Sequence, residues 1–270
     1  MRLPIPIFSG EVIHQEVEIE SPRAGVLADT QKIAEQGNWF TAIHILVGGC
    51  VTSIGDITDK STIRNLCRKM PYRSAELVAL KATLLISPDD GFEGVYVCPR
   101  CGHKIITDYQ EADGEVIIDT RDFVSNLKVG IMEEETRGFH HDMTEPVDIK
   151  SEGEVIESID SFDMRYPLLA DCIASEGKHG NNDPIRSQFG TYVQALTAIN
   201  GNNVDAKWKN RYGMALFNGI HSLRGDLLVI GREMEKYGLS TKVDKTCTDC
   251  GKEYRAQVNT SGFFESVLRM

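Results

Sequence analysis

Two short motifs about 150 residues apart constrain this 270-residue chain more than any other feature: Cys98-Pro99-Arg100-Cys101-Gly102 and Cys247-Thr248-Asp249-Cys250-Gly251. Two residues between the cysteines let both sulfurs face one ion while the backbone turns. The glycine that follows can take the left-handed conformation the turn needs. Strand-like residues flank each motif, Tyr96-Val97 and Lys104-Ile105-Ile106 around the first, Lys245-Thr246 and Glu253-Tyr254-Arg255 around the second. This is the layout of a zinc knuckle. One knuckle gives two ligands, whereas a structural zinc takes four at about 2.3 Å. Cys98, Cys101, Cys247 and Cys250 are therefore the predicted Zn2+ ligands, in one site shared between distant parts of the chain. In a zinc ribbon the two pairs normally lie within about 20 residues, so sharing requires the fold to bring the second pair back.

Three other uses of the motifs stay open at this point. Each pair can hold its own ion, the first borrowing His103, His140 or His141. A CxxC can be a redox dithiol, but neither pair opens a helix in a βαβ setting. The thiols can also simply be free. Cys50, Cys67 and Cys172 lie in apolar helical stretches and read as small buried hydrophobes. Seven cysteines, an odd number, behind an amino terminus without a secretory pattern favour metal thiolates in a reducing compartment over disulfides.

Other landmarks recur in the same order as the knuckles. Leu27-Ala28-Asp29 is echoed by Leu169-Ala170-Asp171, and Glu76-Leu77-Val78 by Asp226-Leu227-Leu228. Each series ends in CxxCG. The order predicts an internal duplication of a strand–helices–knuckle unit. The first 20 residues read as a β-hairpin whose prolines make it an edge strand or an arm lying on a partner. Helices are predicted over Ala24–Gln36 and Phe40–Val47, after Asp59-Lys60-Ser61-Thr62, and from near Arg73 through Leu85. In the second half they fall around Pro167–Ile173, Phe189–Ile199 and Lys207–Leu216, and from Arg224 to near Tyr237. Glu176–Asp183 reads as a polar break, and Gly48-Gly49 and Gly201-Asn202-Asn203 as turns. The expected fold is α+β and mostly helical: two related halves with β-hairpins and a four-cysteine zinc ribbon built from two CxxCG knuckles. The expected boundaries are 1–110 for the first unit, 111–160 for an acidic connection and 161–270 for the second unit.

The net charge of −11 resides in that connection. Residues 111–160 hold fifteen acidic and four basic side chains, so the other 220 residues are neutral overall. A main surface that embraces nucleic acid needs a net basic face, which makes nucleic acid an unlikely partner. No run of about 18 apolar residues predicts a membrane span. No phosphate-binding glycine loop, nucleophile elbow, HExxH helix or pair of catalytic carboxylates is present. The expectation is a protein that is not an enzyme. His140-His141-Asp142 reads as a solvated loop, and His44 and His221 as ordinary helix residues. Phe263-Phe264 reads as core in a terminal helix or as a contact for another subunit.

Two stretches carry a resemblance. The hairpin followed by Ser21-Pro22-Arg23-Ala24-Gly25-Val26-Leu27 is similar to the tail assembly chaperones of contractile-tailed bacteriophages. Gly225-Asp226-Leu227-Leu228 through Cys247-Thr-Asp-Cys-Gly-Lys-Glu-Tyr254 to Phe263-Phe264 resembles their baseplate hub assembly proteins. The resemblance implies a non-enzymatic protein that binds hub or tape-measure proteins in the host cytoplasm during tail assembly, or that stays in the virion tail. The Pro-rich arm, the acidic segment and Phe263-Phe264 are then the contact candidates. The alternative is a zinc-ribbon nucleic-acid module using Arg100, Lys104, Lys242, Lys245, Lys252 and Arg255 near the knuckles.

Overall fold

Two β-hairpins, each feeding a pair of helices and then a short returning strand, organise the chain. The computed structural model describes residues 1–86, 91–93, 96–105, 109–112, 115–119, 129–133, 136–179, 183–220, 225–240 and 242–257. The fold is a mixture of helix and sheet.

The first half opens with β1 (Arg2–Ser9) and β2 (Val12–Ile19), then α1 (Ala24–Glu35), α2 (Trp39–Cys50) and β3 (Val51–Ile54). Next come α3 (Lys60–Arg68) and α4 (Tyr72–Ile86), short strands β4 (Gly91–Glu93) and β5 (Tyr96–Val97), the first knuckle, and β6 (Lys104–Ile105). β7 (Tyr109–Ala112), β8 (Glu115–Asp119) and β9 (Val129–Gly130) lead into the second half.

That half repeats the order. A hairpin of β10 (Gly138–Ser151) and β11 (Glu154–Arg165) precedes α5 (Leu169–His179), α6 (Pro184–Ala195), β12 (Leu196–Ile199) and β13 (Asn202–Asn203). A helical stretch follows, α7 (Ala206–Trp208) running through a π-turn at Lys209–Gly213 into α8 (Met214–Gly219). α9 (Asp226–Glu235), β14 (Gly238–Leu239), β15 (Lys242–Thr246), the second knuckle and β16 (Glu253–Gln257) are the last of the described elements.

The agreement extends to strand register. Val17, Glu18 and Ile19 of β2 pair with Ile54, Ser53 and Val51 of β3, with a bulge between Glu18 and Ile19. Phe162, Asp163 and Met164 of β11 pair with Ile199, Ala198 and Leu196 of β12, with a bulge between Asp163 and Met164. Every partner in the second set lies 145 positions after its counterpart. Gly55 N–H donates to the Glu16 carbonyl, and Asn200 N–H, 145 positions on, donates to that of Ser161. The hairpins also share an irregularity. Leu3 to Pro6 bulge out between the pairs Arg2–Glu16 and Ile7–His14. Met143 to Pro146 do the same between Asp142–Ser161 and Val147–Ile159. Since a bulge bends its strand and resets its register, its return at the same place is the most specific likeness between the halves.

Several expectations need correction. The stretch from 111 to 160 is not simply a connection, because residues 138–160 belong to the second hairpin. Val147, Ile149, Ile159, Phe162 and Met164 point inward into a core with Leu196, Leu216 and Phe217, while the acidic side chains lie on the outer face. The helix expected over Phe189–Ile199 ends at Ala195, and its last four residues form β12. Gly48-Gly49 is not a turn but part of α2, which crosses α1 so closely that a Cβ on Gly49 would lie 2.5 Å from Val26 Cγ1. Of the two readings of the proline-bearing strand, the structure shows the edge strand: β1 is the outer strand of the sheet β1–β2–β3. Leu3, Ile5 and Ile7 are fully buried in the chain's own core, and the Ser74 hydroxyl both accepts from Ile5 N–H and donates to its carbonyl. His221 and Phe263-Phe264 lie outside the described residues.

The halves are packed together. Leu169, Leu239 and Cys247 share one buried cluster with Leu46, Met70, Leu80 and Cys98. Tyr72 N–H donates to the Pro167 carbonyl at 2.8 Å, and Leu169 N–H to that of Met70 at 2.9 Å. Glu176 is not in a polar break. It sits in α5, 2% exposed, and accepts from the N–H groups of Phe40 and Thr41 and from the Thr41 hydroxyl at 2.9–3.2 Å. A carboxylate at a helix start satisfies orphan N–H groups and complements the helix dipole, so α2 of the first half is capped by the second.

Candidate metal centre

The two knuckles are built alike. In the first, Cys98 N–H donates to the His103 carbonyl and Gly102 N–H to the Cys98 carbonyl, both at 2.9 Å. In the second, Cys247 N–H donates to Lys252 and Gly251 N–H to Cys247, again at 2.9 Å. Gly102 and Gly251 have φ of 72° and 67°, the left-handed region where a Cβ is costly. β5 with β6 and β15 with β16 form the two small ladders that hold these turns. In both turns backbone N–H groups also point at the first cysteine: Arg100 N lies 3.4 Å from Cys98 Sγ, and Cys250 N 3.5 Å from Cys247 Sγ.

Packing of the halves brings the knuckles face to face. Cys98 Sγ lies 3.7 Å from Cys250 Sγ, and Cys101 Sγ 3.6 Å from Cys247 Sγ. All four sulfurs fall within 4.8 Å of one another. A tetrahedron with 2.3 Å arms has edges of about 3.8 Å, so the cluster has the size that four thiolates around one ion require. Cys98, Cys101, Cys247 and Cys250 are positioned to bind a metal ion as one shared group. Cys98 and Cys247 are buried, Cys250 is half-buried and Cys101 is exposed, which leaves one side of the cluster open to solvent.

The electrostatics point the same way. Burial opposes ionisation of Cys98, yet N–H donors from Cys101 and Arg100 and the neighbouring thiols bring its pKa down to about 6. Cys101 gains from the His103 backbone, but the desolvating neighbours around its sulfur and the thiols of Cys250, Cys247 and Cys98 push it up to about 12. One proton leaves such a cluster readily and the last resists, because thiolates at this spacing repel one another. A bound cation removes that conflict.

The histidines considered as ligands do other work. His140 lies in β10, with Nδ1 2.7 Å from Asp163 and Nε2 3.1 Å from Asp142. These hydrogen bonds, that to Asp163 foremost, raise its pKa. His141 is no solvated loop residue either. It is buried, with Nε2 3.1 Å from Asp226 Oδ1, which also accepts from the N–H and hydroxyl of Thr144. His103 contributes its carbonyl to the first knuckle. Cys50, Cys67 and Cys172 are buried apart from the cluster, and desolvation pushes the Cys50 and Cys67 thiols up to about 12. Of the basic residues near the knuckles, Arg100 and Lys252 are exposed, and Arg255 Nε lies 3.0 Å from Asp244. The side chains of Lys104, Lys242 and Lys245 lie outside the described set.

Sequence reasoning missed Glu176 as a contact between the halves. Its neighbours Gly177, Gly180, Asn181 and Asn182 mark a break, and no periodicity signals a carboxylate that serves another helix. No helix among the described residues is long and apolar enough to cross a membrane. The chain matches no protein-family model, no curated protein and no solved structure.

Proposed function

We propose that the chain is a duplicated, zinc-stapled assembly protein without catalytic activity, which binds other proteins of a contractile phage tail. The observation that carries the staple is the convergence of two cysteines from each half within 4.8 Å. Four sulfurs in a group of tetrahedral size are the donor set of structural zinc, since a site with four protein ligands keeps no open position for substrate. The 145-position register, with its bulges, supports descent of both halves from one unit. The cross-capping by Glu176 supports their acting as one body.

Several buried polar groups that could serve acid–base chemistry are engaged in holding the fold. Asp171 accepts from Arg165 Nη2 at 2.8 Å and from Leu168 N–H at 2.7 Å. Asp226 is held by His141 and Thr144, and Glu176 caps α2. This favours a scaffold over an enzyme. The tail-assembly reading draws on the sequence resemblance, with hub and tape-measure proteins as partners in the host cytoplasm or in the virion. With the Pro-rich arm buried, the acidic outer face of the second hairpin is the described contact candidate. Asp142, Glu145, Asp148, Glu152, Glu154 and Asp160 are exposed there, a composition that suits a basic partner.

Two measurements test the proposal. Elemental analysis of purified protein is expected to give about one zinc per chain; two per chain, or none, refutes the shared staple. Co-expression with hub and tape-measure proteins is expected to give a stable complex with one of them. Capture of DNA or RNA with a steep salt dependence, and of neither tail protein, would establish the nucleic-acid reading instead.

A further inference from the structure

The cysteine cluster meets solvent through one residue above all. Cys101 is exposed, in a turn where Pro99, Arg100, Gly102 and His103 are exposed as well, whereas Cys98 and Cys247 are buried and Cys250 is half-buried. Cys247 Sγ lies 3.6 Å from Cys101 Sγ and belongs to the other half of the chain. Cys98 and Cys250 make a second approach between the halves at 3.7 Å. Sulfurs in a disulfide stand about 2.05 Å apart, so either pair has to close by less than about 2 Å. Within one knuckle, backbone hydrogen bonds oppose such a closure. Cys98 N–H is tied to His103 and Gly102 N–H to Cys98, and the same two bonds recur around Cys247. They fix the turn that carries both sulfurs of a knuckle. Joining sulfurs of facing knuckles leaves both turns as they are.

We propose that Cys101 and Cys247 form an oxidation site: hydrogen peroxide takes the exposed sulfur, Cys247 captures it, and a covalent staple between the same two halves replaces the ion. That the sulfurs start as thiolates and that an ion departs both rest on the metal-centre reading. With all four sulfurs ionised by the metal, access and not protonation selects the first to react. The Cys101 thiolate attacks the O–O bond, keeps one oxygen as a sulfenic acid and releases hydroxide. The Cys247 thiolate then attacks that sulfur, forms the S–S bond and expels the oxygen as a second hydroxide. Two electrons thus pass from two sulfurs to one peroxide. Cys98 and Cys250 remain, two ligands where a structural zinc takes four, and the ion leaves. The halves stay tied at the same place.

The test treats the full-length zinc-loaded chain with hydrogen peroxide, caps the remaining thiols and maps disulfides by mass spectrometry, while a colorimetric chelator reads released zinc. The first disulfide is expected to be Cys101–Cys247, formed in step with the loss of about one zinc per chain. A denatured, unreduced chain looped over those 146 positions is expected to migrate faster on a gel, and a reductant to restore both mobility and zinc uptake. The buried Cys50, Cys67 and Cys172 are expected to stay reduced. The proposal is overturned if the first disulfide joins two cysteines of one knuckle or Cys98 to Cys250. It is equally overturned if Cys101 goes on to sulfinic acid without a cross-link, or if peroxide leaves the sulfurs unchanged. Zinc held and then released with no cross-link sinks this proposal and leaves the metal centre standing. A chain that holds no zinc yet forms the Cys101–Cys247 bond refutes the metal centre and supports the oxidation site.

Discussion

Position 31 and position 176 occupy the same place in the two halves, 145 residues apart on the first helix after each hairpin. Gln31 lies toward the surface and bonds Glu35 of its own helix. Glu176 is buried and bonds the start of α2 in the other half. The same scaffold position is thus decorative in one half and structural in the other. The knuckles show the opposite relation, since each supplies two of the four sulfurs that lie within 4.8 Å of one another. Repeated backbone need not mean repeated duty: register is common to both halves, while the groups that bind them together are divided between them.

Breaking that division at the sulfurs should have the largest effect. Cys98→Ser and Cys247→Ser are expected to abolish metal uptake equally and to lower Tm by about 10 °C or more, because an ion held by all four sulfurs would close a loop spanning the 146 positions from Cys101 to Cys247. Calorimetry with metal analysis checks this; a half-loaded variant from either substitution would mean that the knuckles work separately.

The contrast between Glu176 and Gln31 should come next. Glu176→Ala leaves two N–H groups and a hydroxyl unpaired in a buried place and is expected to cost about 3 kcal/mol, against less than about 0.5 kcal/mol for Gln31→Ala. Urea denaturation of the two variants compares them directly. Similar losses would show that the halves do not differ here.

Asp59 and Asp205 sharpen the likeness instead. Each caps a helix through its side chain, accepting from Thr62 N–H at 2.8 Å and Trp208 N–H at 2.7 Å. Alanine at either is expected to lower Tm by about 3 °C, to the same extent within error. Hydrogen bonds from Ser61 and Thr62 hold the Asp59 carboxyl down at about 2. Its folded pKa is depressed, so its contribution is present above about pH 4 and disappears as pH falls through about 2. Thermal scans of Asp59→Ala at pH 5 and near pH 2 should therefore converge on wild type at the acid end.

The smallest effect belongs to His140, which bonds Asp163, whereas the first half has Glu18 bonded to the Ser53 hydroxyl at that place. The folded pKa of His140 is raised above 6.5. Its stabilisation is complete below that value and is lost as pH rises through the folded pKa. His140→Ala is expected to be less stable than wild type at about pH 5.5 and equal to it at about pH 9, read from Tm. A gap that persists at high pH would mean that packing, not charge, sets it.

Much of this was legible from the residues alone. The CxxCG pairs named the four sulfurs, because their spacing is a local property of a turn. Asp59-Lys60-Ser61-Thr62 announced a capped helix for the same reason. The second hairpin was harder to see: its four-residue bulge interrupts the alternation that marks a strand, and its acidic outer face imitates a solvated loop. The Leu-Ala-Asp echo, taken as a sign of duplication, falls on residues that the strand register does not equate. The shared register places Leu169 opposite Ala24, not Leu27, three residues out of step, whereas Pro22 and Pro167 do stand in equivalent places. Tripeptides record composition, while equivalence is set by partners across a sheet.

The hairpins differ most at their ends. β1 and β2 turn at Gly10, but β10 and β11 run on to a turn at Glu152-Gly153, and Val155 and Ile156 stand about half exposed beside it. An antiparallel ladder can lengthen pair by pair from its turn without shifting any rung already laid. This loop end can therefore gain, lose or exchange residues while the core and the sulfur cluster stay as they are. Rewriting this end would therefore disturb little of what holds the molecule together.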